Sequence, residues 1–495
     1  MTPKADQENW NGVAKKTVNN SVWSFLGFAL GKLVAFAATV VLANLLVPEQ
    51  FGLVGFCLVA MQFIDIIGRF GFDTALVSRG DSAEEDGSTV LFMGLAAAIL
   101  GYAIAWFSAP TIAAFFNAPE IEFMLRVLAI VVIIDALTLV PNALLSLRLR
   151  FRQRLKAIVA KSIAKGTTSI AFALQGFGVW SLIYGQIAGS IVAVIAFWLL
   201  CDWRPKLRFN KDVSRQVLRY GGSMIGVELI GAVRSSIDLT LVGRFIGPAG
   251  LGLYTLAYKL PELVIRSLSE AVGKVSHPVL VDFRNDPQKI SGFYLTYIRY
   301  IALLTLPLGV GMAAVSEAFV LTFYGPNWEM AVFPMQAISI ALAITSVSFA
   351  PGVLYKALNR PDILRNIAIV KLPFLIGVTW YAIRWGIDGV ALAKLLLATV
   401  FVWFDCYTVS RFTKIPISSV WTALFPALLA SAGMGILVSW MTQSMTNNGI
   451  WEIAAAVAVG VPLYVLLVRV VSPTAYSELK TFLISQRKER KSDVR

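Results

Sequence analysis

Apolar stretches of about twenty residues, the length that crosses a bilayer as a helix, follow one another along almost the whole chain of 495 residues. In lipid only helices and closed barrels satisfy their own backbone hydrogen bonds, and segments this long are too long for the tilted strands of a barrel. Hydrophobic residues make up 57% of the chain and charged ones 15%, with a mean hydropathy of +0.72. A soluble domain is about one quarter charged. The expected fold is therefore an all-α polytopic membrane protein. Hydropathy places about fourteen transmembrane helices, centred near residues 33, 61, 98, 133, 167, 189, 232, 263, 308, 343, 375, 398, 430 and 461. Spans 5, 8 and 11 are the least apolar because each carries internal charges.

The basic residues orient these spans, since loops on the cytoplasmic side carry an excess of Lys and Arg. With the N-terminus inside, the inner segments hold 30 of the 43 basic residues and the outer loops two, Arg244 and Arg384. The densest inner segments are Arg148 to Lys156 and Arg204 to Arg219, and the tail beyond Lys480 is also basic. This asymmetry supplies most of the +14 net charge and implies an anionic membrane surface rather than nucleic acid. Met1 to Ser21 is polar and has no signal-peptide pattern, so the first span is expected to act as the insertion signal. The three cysteines, Cys57, Cys201 and Cys406, are isolated and His277 is the single histidine. Disulfide frameworks, zinc spacings and histidine catalysis are accordingly not expected, and no cofactor is. Near the helix ends, Trp23, Trp203, Trp328 and Trp451 have the character of interface anchors.

The chain also repeats itself. Leu42-Ala43-Asn44-Leu45-Leu46-Val47-Pro48-Glu49-Gln50-Phe51-Gly52-Leu53 is echoed 200 residues on by Val242 to Leu253. Further echoes link Phe116-Asn117-Ala118-Pro119 with Phe323-Tyr324-Gly325-Pro326, Pro141 with Pro351, Lys161 with Lys371, and Gly176 with Gly386. Spans 1–6 match spans 7–12. Six is even, so both copies cross in the same sense. These are parallel repeats about an axis along the membrane normal, a plan found in transporters. The expected organisation is an N-terminal six-helix lobe (1–200), a cytoplasmic linker (201–219), a C-terminal six-helix lobe (220–412), two additional transmembrane helices (413–472) and a basic cytoplasmic tail (473–495).

Charges inside a bilayer are costly and usually face an aqueous cavity with a function. Span 8 carries Lys259, Glu262, Arg266 and Glu270 on one stripe, at spacings that put them on one helical face, with Pro261 expected to kink the helix. Span 2 carries Gln62, Asp65 and Arg69 at similar spacing. Span 7 adds Arg234 and Asp238 one turn apart, and span 1 adds Lys32. Spans 1, 2, 7 and 8 are read as lining a cleft with cations available to a ligand. Arg and Lys together suit phosphate groups. Against this stands structural pairing: Lys259 with Glu262, Arg266 with Glu270, Arg234 with Asp238. Arg126, Lys161, Arg299, Lys371 and Arg469 are read as snorkelling, His277 as a helix-end residue, and Lys394 and Asp405 are left open.

Several segments resemble one known family. They are Phe70-Gly71-Phe72-Asp73-Thr74-Ala75-Leu76-Val77-Ser78-Arg79 with the acidic loop behind it, Ala109-Pro110 through Ala118-Pro119, Gly176-Phe177-Gly178-Val179-Trp180-Ser181-Leu182, and Asp238-Leu239-Thr240-Leu241-Val242-Gly243-Arg244 through Tyr254. In order and spacing they resemble the lipid-linked oligosaccharide flippases of the MOP exporter superfamily, in the polysaccharide-export (Wzx or colanic acid exporter-like) branch. The resemblance implies a multi-pass transporter of the bacterial inner membrane; the orientation from the basic residues, with fourteen spans, puts both termini on the cytoplasmic side. The resemblance also implies alternating access around a cationic cavity and a cargo of undecaprenyl-diphosphate-linked oligosaccharide for exopolysaccharide or O-antigen synthesis. Relatives that flip the peptidoglycan precursor carry a basic–acidic pair where Phe36 to Leu42 is uncharged here, which argues against that cargo.

The reading is a transporter and not an enzyme. Lys32, Arg234, Lys259 and Arg266 attract the diphosphate. Asp65, Asp238, Glu262 and Glu270 balance charge or carry a coupling proton or cation. Expected partners are the lipid-linked oligosaccharide and anionic phospholipids, with a polysaccharide polymerase and glycosyltransferases as further candidates. The alternatives are a multidrug or other lipid exporter of the same superfamily, whose cleft should be acidic and aromatic, and a polymerase or ligase, which needs a larger outer loop.

Overall fold

The computed structural model describes residues 30–473 apart from 285, 414 and 446–448. The N-terminal stretch with Lys4, Lys15, Lys16 and Trp23, together with Lys414 and the basic tail, lies outside the described residues, as does the side chain of His277. Among the described residues the chain is helical, without strands.

The chain forms two compact units that meet between Thr255 and Leu256. The first holds α1 (Leu30–Leu45), α2 (Pro48–Arg69), α3 (Phe72–Val77), α4 (Ala83–Phe116), α5 (Ile121–Leu128), α6 (Ile130–Ala136), α7 (Leu139–Leu147), α8 (Phe151–Leu174), α9 (Val179–Leu200), α10 (Lys211–Ile246) and the start of α11 (Pro248–Pro261). The second holds α12 (Ser267–Asp282), α13 (Pro287–Ala314), α14 (Ser316–Phe319), α15 (Val332–Val347), α16 (Phe349–Ala357), α17 (Pro361–Ala382), α18 (Gly386–Thr413), α19 (Ile417–Ser444) and α20 (Ile450–Val471). All fourteen span centres fall within helical segments. By length and apolarity alone, nine of the described helical stretches can cross a membrane, or ten if the bent pair Ile121–Ala136 and Leu139–Leu147 is one span. The difference has physical causes. α17 and α18 count together as Asp362–Thr413. Only sixteen residues of α1 are described, and α10 and α11 are interrupted by the charges that mark the candidate site.

The duplication has a physical counterpart inside the first unit. α2 and α11 both begin at the proline of the repeated motif, where the missing N–H costs nothing, and cross at its glycine. A Cβ on Gly52 would lie 1.7 Å from the Pro248 carbonyl oxygen, and one on Gly252 would lie 1.9 Å from the Pro48 carbonyl oxygen. The contact is reciprocal: exchanging the two copies of the motif reproduces it. α8 and α9 also meet on glycines. Gly185 and Gly189, four residues apart, sit against the backbone of Lys161 and Lys165, the small-residue packing by which membrane helices approach closely.

The segment expected to be a linker is bound down along its first half. Trp203 is buried and its Nε1 donates to the Glu84 carbonyl at 2.9 Å. The backbone N–H groups of Lys206 and Asn210 donate to Ser88 and Thr89, both buried, at 2.8 and 3.1 Å. Asn210 then caps α10 by accepting from Asp212 and Val213. Arg150 holds Asp202 at 2.7 Å, and this hydrogen bond lowers the Asp202 carboxyl below its usual range. That contribution is complete above the ordinary carboxylate pKa and is lost as pH falls through the lowered value. Arg79, from the Phe70-to-Arg79 motif, joins Asp86 of α4 to Gln216 of α10. With its first half fixed, α10 packs on α2, α3 and α4. Packing thus divides the chain later than the repeat does.

Trp203→Ala removes the ring that covers Gly87. Large core truncations of this kind cost about 3–5 kcal/mol, and less at a partly solvated edge. Limited proteolysis should cut between 201 and 210 several times faster in this variant, roughly what 1–2 kcal/mol implies.

Candidate functional site

In the second unit Pro261 lacks the N–H an α-helix needs, and its ring crowds the preceding turn. The helix responds with a π-turn at Glu262–Arg266 rather than a simple kink. Such turns are common at functional sites. The turn sends Ile265, 1% exposed, into the core and leaves Arg266 at the surface of the unit. Arg266 Nη1 donates to Glu262 at 2.9 Å and Nε to Glu270 at 3.1 Å. Its side chain keeps 47% exposure. Glu262 therefore pairs with Arg266 and not with Lys259, because the guanidinium lies between the two carboxylates and reaches both. Lys259 is exposed, with no ion pair among the described residues. A further cation joins this group: Lys394 of α18 stands over the Tyr258 ring at 4.5 Å. The sequence left Lys394 open because its neighbour could not be known.

In the first unit Asp65 and Arg69 pair across one turn at 3.8 Å, and Gln62 donates to Ser235 of α10 at 2.9 Å. The alternative pairing of Arg234 with Asp238 is not what forms. Asp238 is buried and its carboxylate accepts from Tyr254 Oη at 3.2 Å, whereas Arg234 is exposed and has no ion pair among the described residues. Lys32 is half-buried near the described start of α1. The structure thus gathers Lys259, Glu262, Arg266 and Glu270 on one stripe of the second unit. Lys32, Asp65, Arg234 and Asp238 belong to the first. A recess of about 550 Å³ between α2, α4 and α10 is apolar, lined by Phe63, Ile67, Ile104, Phe115 and Ile237 among others. Its chemistry is that of a hydrocarbon chain, not of a phosphate.

Two interior ion pairs correct the snorkelling assignment. Lys161 of α8 donates to both oxygens of Asp135 on α6 at 2.9 Å. Lys371 of α17 donates to Asp405 of α18 at 2.6 Å. Each lysine sits near the middle of its helix, and a carboxylate on a neighbouring helix holds it there. The lysines share a position in the repeat; the acids do not. Thr345 stands where Asp135 would recur, and Ile195 where Asp405 would. Overlaying the halves therefore reveals the lysines and hides their partners.

This architecture has relatives. A family model described as polysaccharide biosynthesis protein matches residues 41–333, more than half of the chain. The chain belongs to this family. It is 24% identical to the teichuronic acid biosynthesis protein TuaB of Bacillus subtilis over 487 residues, covering 94% of this chain and 98% of TuaB. Among solved structures it shares the fold of the lipid II flippase MurJ in an inward closed conformation. The TM-score is 0.72 at 15% identity, over 92% of this chain and 98% of that one. An inward-facing multidrug resistance MATE transporter of the MOP superfamily gives a TM-score of 0.62 at 16% identity, over 77% of this chain and 96% of that one. The resemblance drawn from the motifs is thus borne out in family and in fold.

Proposed function

We propose that this protein flips undecaprenyl-diphosphate-linked oligosaccharide repeat units across the bacterial inner membrane, by alternating access, for exopolysaccharide or O-antigen synthesis. In this reading it is a multi-pass transporter with both termini cytoplasmic. The observation that carries the proposal is the arrangement at Arg266. A guanidinium clamped by two carboxylates on a π-turn, still half-exposed, with Lys259 on the same stripe, is a cationic site that is already oriented and still open to an anion. Arg supplies a planar fork for phosphate oxygens and Lys a point charge. Lys32 and Arg234 are the cations assigned to the same anion on the first unit. Glu262 and Glu270 hold Arg266 in place while the site is empty of cargo, and Asp65 and Asp238 balance charge or carry a coupling proton or cation. The apolar recess of the first unit suits the lipid portion. The family is described by polysaccharide biosynthesis and TuaB by teichuronic acid biosynthesis, and the fold is shared with the lipid II flippase MurJ.

A drug exporter with the same fold would need an acidic, aromatic site for cations, and Lys259, Arg266 and Lys394 together oppose that. The test is Lys259→Ala combined with Arg266→Ala in cells whose surface polysaccharide is measured at matched protein level. Each charge-assisted bond is worth about 1.5–3 kcal/mol, so export should fall by roughly tenfold to a hundredfold. Unchanged surface polysaccharide would overturn the assignment.

A further inference from the structure

The apolar recess of the first unit has one cationic end. Along α10 it is lined by Val233, Ile237 and Thr240, whose spacings of four and three place them on one helical face. Four residues further on, the same face carries Arg244. Its contacts agree with that placement. The Arg244 guanidinium stands 5.6 Å from the ring centre of Phe115, which itself lines the recess, and 5.9 Å from that of Phe245. Arg244 is half-buried, and among the described residues its N–H groups meet neither a hydrogen-bond acceptor nor a carboxylate. A guanidinium presents five donors in a planar fork. Held by two rings, this one keeps its fork open to an anion. Arg234, the cation assigned above to the cargo's anion, lies ten residues back along α10, about 15 Å away.

The rest of the recess suits hydrocarbon. Two of the hydroxyls that line it are committed within their own helices: Ser108 donates to the Ala105 carbonyl at 3.4 Å and Thr240 to the Ser236 carbonyl at 2.7 Å. From Val233 to Arg244 the lined face runs about 16 Å. The matching ligand is a long apolar chain with an anion at one end. In the orientation read from the basic residues, α10 ends on the outer side, where Arg244 is one of two basic residues. The repeat places Asn44 at the corresponding position, and its side chain donates to the Val40 carbonyl of its own helix at 3.0 Å. The cation belongs to the second copy of the motif alone.

We propose that Arg244 and the recess form an outer-leaflet site for a polyprenyl phosphate. The phosphate sits on the Arg244 fork, and the first isoprene units lie between α2, α4 and α10. The chemistry favours this lipid over a glycerophospholipid. In a polyprenyl phosphate the anion is joined directly to the hydrocarbon. In a glycerophospholipid, ester carbonyls stand between the two. They would lie beside the Phe115 ring and the committed Thr240 hydroxyl, where no donor meets them, and a polar group left unpaired in apolar surroundings is costly. The site thus receives the carrier lipid on the side to which the cargo is delivered, a role separate from anion capture at Arg266. The proposal rests on the flippase reading for the role of the lipid and not for its binding.

The test is photolabelling of the purified full-length protein in phosphatidylethanolamine vesicles. The probe is a polyprenyl phosphate with a diazirine on its chain near the phosphate. Label should appear on the peptides of α2, α4 and α10 that carry the recess residues. Excess undecaprenyl phosphate should displace it, and the same excess of phosphatidylglycerol should not. Arg244→Gln should weaken binding by about tenfold or more, the effect of losing charge-assisted hydrogen bonds. Arg244→Lys should weaken it less, because a point charge remains. Ile237→Trp, which fills the recess, should abolish the labelling. Arg244 faces solvent and two rings only, so its variants keep the test decisive if Ile237→Trp does not accumulate. Labelling unchanged in Arg244→Gln, or confined to other helices, would overturn the site. Equal displacement by phosphatidylglycerol would overturn the choice of lipid. If labelling follows the expected pattern while deletion of the wild-type gene leaves surface polysaccharide intact, the flippase reading falls and the lipid site stands.

Discussion

Alanine at Gly52, or at Gly252, prevents this protein from accumulating in the membrane. Each added Cβ would meet a backbone carbonyl oxygen, at 1.7 Å on Pro248 and 1.9 Å on Pro48. A backbone oxygen at the start of a helix cannot swing aside as a side chain does. α2 and α11 would have to separate along their first turns, taking with them the close approach of Gly55 to Leu251. Ordinary overpacking costs about 1–3 kcal/mol; a double collision with backbone lies at or above the top of that range and is comparable with the whole stability of many domains. Immunoblots of membrane fractions should show either variant reduced by about tenfold or more relative to wild type. Gly231→Ala on α10, where an added Cβ would meet nothing within 4 Å, is the control and should accumulate normally. Full accumulation of the Gly52 and Gly252 variants would show that the crossing is not as described.

The second large effect is at Arg266. Arg266→Ala alone leaves Glu262 and Glu270 facing a low-dielectric surroundings without the cation that holds both. Breaking a fully buried pair costs about 3–5 kcal/mol. With Arg266 half-exposed the cost should be about 1–3 kcal/mol, after allowing for solvent screening. Arg266→Ala should therefore lower both thermal stability and protein level. Adding Glu262→Gln and Glu270→Gln removes the stranded charges, so the triple variant should recover wild-type level and melting temperature. Polysaccharide export should stay low in the triple variant, because the anion site is still missing. Recovery of export together with stability would show that the trio serves folding alone. A single variant as stable as wild type would show that the two carboxylates do not depend on Arg266.

Much of this was legible in the chain itself. Helix positions follow from hydropathy because the bilayer penalises every other arrangement; all fourteen span centres fall in helices. The stripe on span 8 was visible because helical spacing fixes which residues share a face. What stayed hidden was pairing between helices. Nothing in the run Val131–Ile134 signals that Asp135 will meet Lys161, and nothing near Lys371 signals that its acid lies 34 residues further on. Local pairing was only half legible: Arg266 pairs with Glu270 as the spacing suggests, but it has a second carboxylate within reach at equal spacing, and only the geometry of the π-turn shows that it takes Glu262 as well. The bound-down linker was also illegible. Its composition is that of a loop, and the hydrogen bonds that fix it come from Ser88 and Thr89, far away in sequence.

The late completion of the first unit has a consequence for synthesis. Trp203, Val213 and Val217 belong to the same buried cluster as Phe72, Val90 and Leu144. The first six spans therefore leave the ribosome with their core unfinished, and the missing pieces arrive only with the opening helix of the second copy. Until then the nascent chain presents an apolar surface built to be covered. A ribosome that stalls near residue 200 therefore yields a bundle whose buried cluster lacks Trp203, Val213 and Val217, rather than a finished unit.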